Sequence, residues 1–470
     1  MQLRTAWIID LVTIKTMKTC FLITLDEWKR IIPFPQFSNF TNDLRHLKRW
    51  YTQGQDLLTS LPLSMERTDE HRRIARSYRD VLAETRSRFV ARYGLILYAE
   101  VTNNWTEFLR VEELIYRIAD QYPGLAPTKK EIQEDMLLEL KHKHGHELSQ
   151  GLILGELLAI SEVGKHLMAG MRQPKVDSLH NLAKFQSSGE VEFGGIIKLV
   201  KKNNAAYLTL SNCKYLNAED DEQNVAMESA VDLVLLDPNI EIGIIRGDLM
   251  EHEKYRGRRV FCSGINLTKL YRGKLSYMFY VSRELGLISK IFRGLLSDPQ
   301  SLGEAPDRGC EKPWISVVDS HAIGGGCQLI LVSDYVIAES NAYFTLPART
   351  EGFIPGLANL RLPRYMGQRL AKQMIYQNYK VIADSEEGRK LADEVVDSSS
   401  INDAIDRVIK GITQTGVQGM ISNRKAFRHG AEPLNVFCNY MATFCREQAI
   451  CMHDETMIHN LEYFWINRST

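Results

Sequence analysis

The stretch HAIGGGCQLILVSDYVIAESNAYFTLP, His321 to Pro347, decides the fold. An apolar strand runs into three glycines, Gly324, Gly325 and Gly326, and these open an apolar helix; two short strand patterns follow within DYVIAESNAYFTLP. Glycines at such a junction remove the Cβ atoms that would cover the backbone, so its N–H groups lie bare to a ligand at the start of a helix. The first polar side chain after them is Gln328. A glutamine cannot trade a proton at neutral pH, so a site built for reactive chemistry carries an amide where an acid or base could stand.

Upstream, GGIIKLVKKNNAAYLTLSN (residues 194–212) predicts two strands around an Asn-Asn turn. Met227, Ala230, Val231, Val234 and Leu235 then predict an amphipathic helix. IEIGIIRG (240–247), RRVFCSGINL (258–267) and KPWISVVDS (312–320) each predict a strand. Strands separated by helices imply crossover connections and a buried, largely parallel sheet. From about 40 to 175 the apolar spacing is helical instead: Leu44, Leu47, Trp50, Tyr51 and Leu58, then Ile74, Tyr78, Val81, Leu82 and Phe89, then Phe108, Val111, Leu114, Ile115 and Ile118. The expected organisation is α/β with three parts: a helical N-terminal domain over 1–185, a core over 186–400, and C-terminal helices over 401–470 that complete the core and make oligomer contacts.

At 470 residues the chain can bury a large core, and its 58 basic and 58 acidic residues cancel. No overall field attracts nucleic acid or an anionic membrane, so an anionic ligand needs a local basic cluster. No apolar run reaches the roughly 18–20 residues of a membrane span. The piece CFLITL, Cys20 to Leu25, is too short for a signal-peptide core, and Met17 offers a second plausible start. The eight cysteines contain no CxxC pair, which suits free thiols in a reducing cytoplasm. KHKHGHE, Lys141 to Glu147, has three alternating histidines, but Gly145 and polar neighbours favour a solvated helix or turn over a metal site.

A second glycine turn, FCSGINL (261–267), also follows a strand pattern. If the two strands are neighbours, an N–H from each turn converges on one oxygen and stabilises an oxyanion. The competing reading is two ordinary strand-to-helix turns.

From about Ala205 to Val396 the chain resembles the crotonase, or enoyl-CoA hydratase/isomerase, superfamily. AYLTLSNCKYLNAED is similar to its first strand and Asn-Ala turn, VFCSGINL to its first oxyanion segment, and AIGGGCQLILVSDYVIAESNAYFTLPARTEGFIPGLANLRLPRYMG to its most specific stretch. The resemblance implies a crotonase-type core of repeated ββα units that binds acyl-CoA, usually as a homotrimer or a trimer-based hexamer. It puts the oxyanion hole on the backbone N–H groups of Ile265 and Gly325. Hydratases of the superfamily carry two glutamates at the positions of Gln328 and Ala348. Both are absent, and water addition needs a positioned acid and base, so hydration is not expected. Glu351, three residues on, is either a substitute or a structural carboxylate.

The N-terminal helices and the wording of LNAEDDEQNVAMESAVDLVLLD, SRELGLISKIFRGL and EGFIPGLANLRL are similar to one branch of the superfamily, cofactor-independent oxygenases of aryl-acetyl-CoA thioesters in antibiotic-type secondary metabolism. That branch implies oxidation of 3,5-dihydroxyphenylacetyl-CoA by O2 to 3,5-dihydroxyphenylglyoxylate and CoA, with neither metal nor flavin. It implies substrate contacts from Glu219, Arg283 and Gln328. The alternatives are a helix N-terminal carboxylate for Glu219, a surface ion-pair partner for Arg283 and a side chain without ligand contact for Gln328. The basic run EKYRGRRV supplies Lys254, Tyr255 and Arg256, and the first turn supplies Ser263, Gly264 and Asn266, as candidate CoA contacts; Arg258 and Arg259 extend the run. Ile323, Phe344 and Leu346 are either acyl-pocket wall or core. Rival functions are an O2-independent acyl-CoA thioesterase, decarboxylase or hydratase/isomerase on the same fold, and a non-catalytic scaffold.

Overall fold

Two large hydrophobic cores divide the protein, whose computed structural model describes residues 24–31, 33, 37–296 and 308–468. Met17 and Cys20 to Ile23 lie outside the described residues. The first core is helical. The helix Asp69–Val101 starts at a Thr68 cap and buries Tyr78, Leu82, Phe89, Val90, Tyr93 and Leu97 at helical spacing. Against it packs Glu147–Ala159, a helix buried on nearly every side. The C-terminal helix Leu434–Met452 closes on that helix so tightly that a Cβ on Gly151 would stand 2.2 Å from the Ala449 Cβ. Both ends of the chain therefore build one helical body.

The second core is the α/β part. Its main sheet contains β1 (Glu190–Phe193), β2 (Ile197–Lys202), β3 (Ala205–Leu210), β4 (Ile242–Gly247), β5 (Trp314–Val318), β7 (Tyr335–Glu339) and β10 (Glu394–Val396), in the order β1-β2-β3-β4-β5-β7-β10. The first two pairings are antiparallel and the rest parallel. Asn203, at φ +54°, makes the expected turn between β2 and β3. A smaller sheet holds β6 (His321–Ile323), β8 (Tyr343–Thr345) and β9 (Val381–Ile382), in the order β9-β8-β6. Each strand pair β5/β6 and β7/β8 thus contributes one strand to each sheet, which produces the ββα repeat.

One expected strand is absent. RRVFCSGINL forms isolated bridges, Leu249 with Arg259, Cys262 with Ala322 and Glu219 with Ile265, and no ladder. The segment crosses the end of β4 closely enough that a Cβ on Gly247 would meet the Val260 carbonyl oxygen at 1.7 Å. Its extended, apolar pattern is that of a strand, but its course across the sheet leaves it only single pairings.

KHKHGHE is a turn, as expected, but it is not simply solvated. It wraps the buried carboxylate of Asp135, whose Oδ1 accepts the His144 N–H (2.7 Å) and faces His144 Nδ1 (2.9 Å), while Oδ2 accepts the Gly145 and His146 N–H groups (2.9 and 3.2 Å). Asp135, His144 and His146 bring potential ligand atoms within 4.8 Å of one another, yet the hydrogen bonds alone account for the arrangement. No described helix is long and apolar enough to cross a membrane.

Candidate active site

The two glycine turns lie side by side. Cys262 O accepts the Ile323 N–H at 3.0 Å, and a Cβ on Gly324 would reach the Gly264 Cα at 3.4 Å. Around Ile265 the neighbouring backbone is already paired: Gly264 O accepts the Glu219 N–H (2.7 Å) and Glu219 O accepts the Asn266 N–H (2.8 Å). Among the described residues, the N–H groups of Ile265 and Gly325 donate to nothing. Gly325 begins the short helix Gly325–Ile330, and both residues line one cavity. Two free amides at one cavity are the equipment for holding a developing oxyanion.

Arg283 anchors the polar wall. It sits in a π-helical stretch, Arg283–Ile288, and is 3 % exposed, so it is a buried hub and not a surface ion-pair partner. Its Nε and Nη2 donate to Glu219 Oε1 (3.1 and 3.0 Å), Nη2 also to Gly325 O (2.9 Å), and Nη1 to Glu284 Oε1 and Gln328 Oε1 (2.8 and 2.9 Å). Burial opposes the guanidinium charge, but Glu219 and Glu284 outweigh it and raise its pKa. Glu284, missed in the sequence, is pushed upward by burial despite Arg283 and Arg361. Only its position next to Arg283 hinted at it.

This hub leaves specific atoms free. Glu219 Oε2 is buried with no partner, and Asp220, not Glu219, caps the helix Asp221–Leu236. Gln328 gives its oxygen to Arg283, which leaves its amide N–H2 available as a donor. Gly356, at φ +46°, makes room for these side chains: a Cβ there would stand 2.2 Å from Gln328 Oε1 and 2.6 Å from Glu284 Oε1.

The remaining lining is largely apolar. Ala348, Phe279, Phe353 and Phe444 form it, together with Tyr280 and Glu351. The Tyr280 hydroxyl is buried and unpartnered. Burial lifts the pKa of Glu351 to about 7. Phe444 arrives from the C-terminal helix, and nothing in its local sequence marks it as a cavity residue. The thiols beside the turns are unsuited to attack, because burial pushes Cys262 well above its usual range and Cys327 to about 12.

The expected CoA contacts separate into groups. Lys254, Tyr255 and Arg256 occupy an exposed loop outside this cavity, where Lys254 lies over the Tyr255 ring and Tyr255 meets the ring of His321. Ser263 Oγ is 2.9 Å from His321 Nε2 and also stays outside the cavity. Gly264 shapes the first turn with φ +81°. Asn266 Oδ1 accepts the Lys269 N–H at 3.0 Å and caps the helix Leu267–Tyr271, so that oxygen is engaged locally. Phe344 and Leu346 are plain core, and Ile323 does not line the cavity.

Residues 201–439 match the enoyl-CoA hydratase/isomerase family. The chain is 39 % identical over 417 residues to a (3,5-dihydroxyphenyl)acetyl-CoA 1,2-dioxygenase of Amycolatopsis orientalis, covering 88 % of this chain and 94 % of that one. It is 30 % identical over 238 residues to a crotonyl-CoA hydratase of Syntrophomonas wolfei, covering 50 % and 82 % respectively. A crystal structure of an enoyl-CoA hydratase from Mycobacterium avium subsp. paratuberculosis superposes with a TM-score of 0.48 at 18 % identity, over 59 % of this chain and 97 % of that one.

Proposed function

The chain belongs to the enoyl-CoA hydratase/isomerase family, and from that premise we propose that it oxidises 3,5-dihydroxyphenylacetyl-CoA with O2, without metal or flavin. The observation that carries the reading is the composition of the cavity wall. Where hydration needs two proton-transfer carboxylates, this cavity has Gln328, clamped by Arg283, and Ala348. Beside them are two free amides and one unshared carboxylate oxygen, Glu219 Oε2. An aryl group with two hydroxyls suits this wall, since one hydroxyl can donate to Glu219 and the other accept from Gln328.

The chemistry follows from the substrate. A thioester carbonyl held by the Ile265 and Gly325 N–H groups makes the adjacent benzylic C–H acidic, and the enolate spreads over an electron-rich ring. Such a carbanion can give an electron to O2 directly. O2 adds at the benzylic carbon, the outer peroxide oxygen attacks the thioester carbonyl, and the C–S bond breaks to release CoA as the thiol. Loss of the second benzylic proton with cleavage of the O–O bond leaves one oxygen atom of O2 in the ketone and the other in the carboxylate of the arylglyoxylate. Ala348 leaves apolar space for O2 beside the reacting carbon. CoA is part of the substrate, so no separate cofactor is required. The same reading makes the protein a cytoplasmic homotrimer, or a trimer-based hexamer, in antibiotic-type secondary metabolism.

Oxygen uptake by the purified protein tests it. With 3,5-dihydroxyphenylacetyl-CoA, uptake should match free CoA release one to one, survive exhaustive chelation, and carry label from isotopic O2 into the arylglyoxylate. CoA release without oxygen uptake would instead make the protein a thioesterase. Loss of activity on chelation, restored by iron or copper, would end the metal-free reading and reopen the turn containing His144 and His146.

A further inference from the structure

The helix Ala348–Glu351 is four residues long, and its first and last residues both line the cavity. Residues three apart share a helix face, so Glu351 presents a carboxyl one turn beyond Ala348, with Cβ atoms about 5–6 Å apart. The helix is held from both ends. The Glu351 N–H donates to Pro347 O at 3.2 Å, and Gly352, at φ +84°, ends the helix against Met457 and Asn460 of the C-terminal helix Glu455–Phe464.

Glu351 has no hydrogen bond or ion pair among the described contacts of its side chain, unlike Glu219 and Glu284, the paired acids of the same cavity. The other titratable groups lining the cavity are Tyr280, Glu219, Arg283 and Glu284, and Arg283 is committed to the two glutamates. Glu351 thus brings an unpaired carboxyl to the cavity that also holds the Ile265 and Gly325 amides.

We infer that the Glu351 carboxylate is the general base that takes the benzylic proton of the bound aryl-acetyl thioester. The C–H bond breaks, the proton moves to a Glu351 oxygen, and the electron pair passes into the enolate held by the Ile265 and Gly325 amides. The same carboxyl can return the proton, which regenerates substrate, whereas reaction with O2 withdraws the carbanion irreversibly. Poised by burial near neutrality, the group matches what a base working at neutral pH requires.

This inference rests on the aryl-acetyl-CoA reading above, but its test needs no oxygen. The full-length protein is incubated anaerobically in deuterated water with 3,5-dihydroxyphenylacetyl-CoA, and deuterium entering the benzylic position is followed by mass spectrometry. The wild type should exchange, Glu351→Gln should exchange about 100- to 10,000-fold more slowly, and Glu351→Asp should recover part of the rate. Circular dichroism of each variant separates loss of the base from loss of the fold. Exchange in Glu351→Gln at the wild-type rate overturns the inference, as does a wild type that takes up O2 without any exchange. Glu351-dependent exchange in a protein that never consumes O2 keeps the base and removes the oxygenase reading.

Discussion

The side chain that Gly325 lacks is displaced by Glu219: a Cβ built on Gly325 would stand 1.6 Å from Glu219 Oε2 and 2.7 Å from its Cδ. The carboxylate proposed to meet the ring therefore occupies the place that a side chain on the oxyanion-hole residue Gly325 would need. Any residue but glycine at 325 forces the carboxylate away.

Gly325→Pro should reduce turnover about 100- to 1,000-fold, the usual loss of one oxyanion donor. Gly325→Ala keeps the N–H but should still lower turnover, and with a larger loss for the dihydroxylated substrate than for phenylacetyl-CoA, because it is Glu219 that moves. Steady-state oxygen uptake with the two thioesters checks this; equal losses would mean that the alanine disturbs the amide instead.

Arg283→Ala should be severely destabilising. It leaves Glu219 buried without its cation and Glu284 with only Arg361, at 3.8 Å, and breaking one side of a buried pair costs about 3–5 kcal/mol. Glu219→Gln should cost less stability yet raise KM for the dihydroxylated substrate selectively. Denaturant titration together with KM on both thioesters distinguishes the two variants.

The rate should depend on pH through Glu351. Its pKa is raised to about 7 in the fold, so the carboxylate competent to accept a proton forms as pH rises through that value. Oxygen uptake should increase across this range, and Glu351→Gln should abolish that limb. For stability the sign is opposite: the folded pKa exceeds the ordinary 4.5, so this group's contribution is full below that value and is lost as pH rises through about 7.

Glu432 should contribute to the acid limb of stability. Burial opposes its charge, but Arg361, Arg293 and Arg364 hold its pKa at about 2, with Arg361 contacting it at 2.9 Å. Its stabilisation is present above about pH 4.5 and is lost as pH falls toward 2. Glu432→Gln should lower stability by about 3–5 kcal/mol and flatten this limb in pH-dependent unfolding.

The features written in consecutive residues were determined by the sequence alone. The glycine turns, the helical spacing around Leu47, Tyr78 and Leu114, the Asn203 turn, and the exchange of two acids for Gln328 and Ala348 are local facts of spacing or side-chain chemistry. The crossing course of Val260 to Cys262 was not local, because an extended apolar run looks the same whether it joins a ladder or passes over its end. Burial of Arg283, the free oxygen of Glu219, the arrival of Phe444 and the raised pKa of Glu351 were decided only by the tertiary structure. Each depends on which distant segments exclude water from one small volume, and a proton affinity is moved from the residue's ordinary value by that surrounding dielectric and its partners.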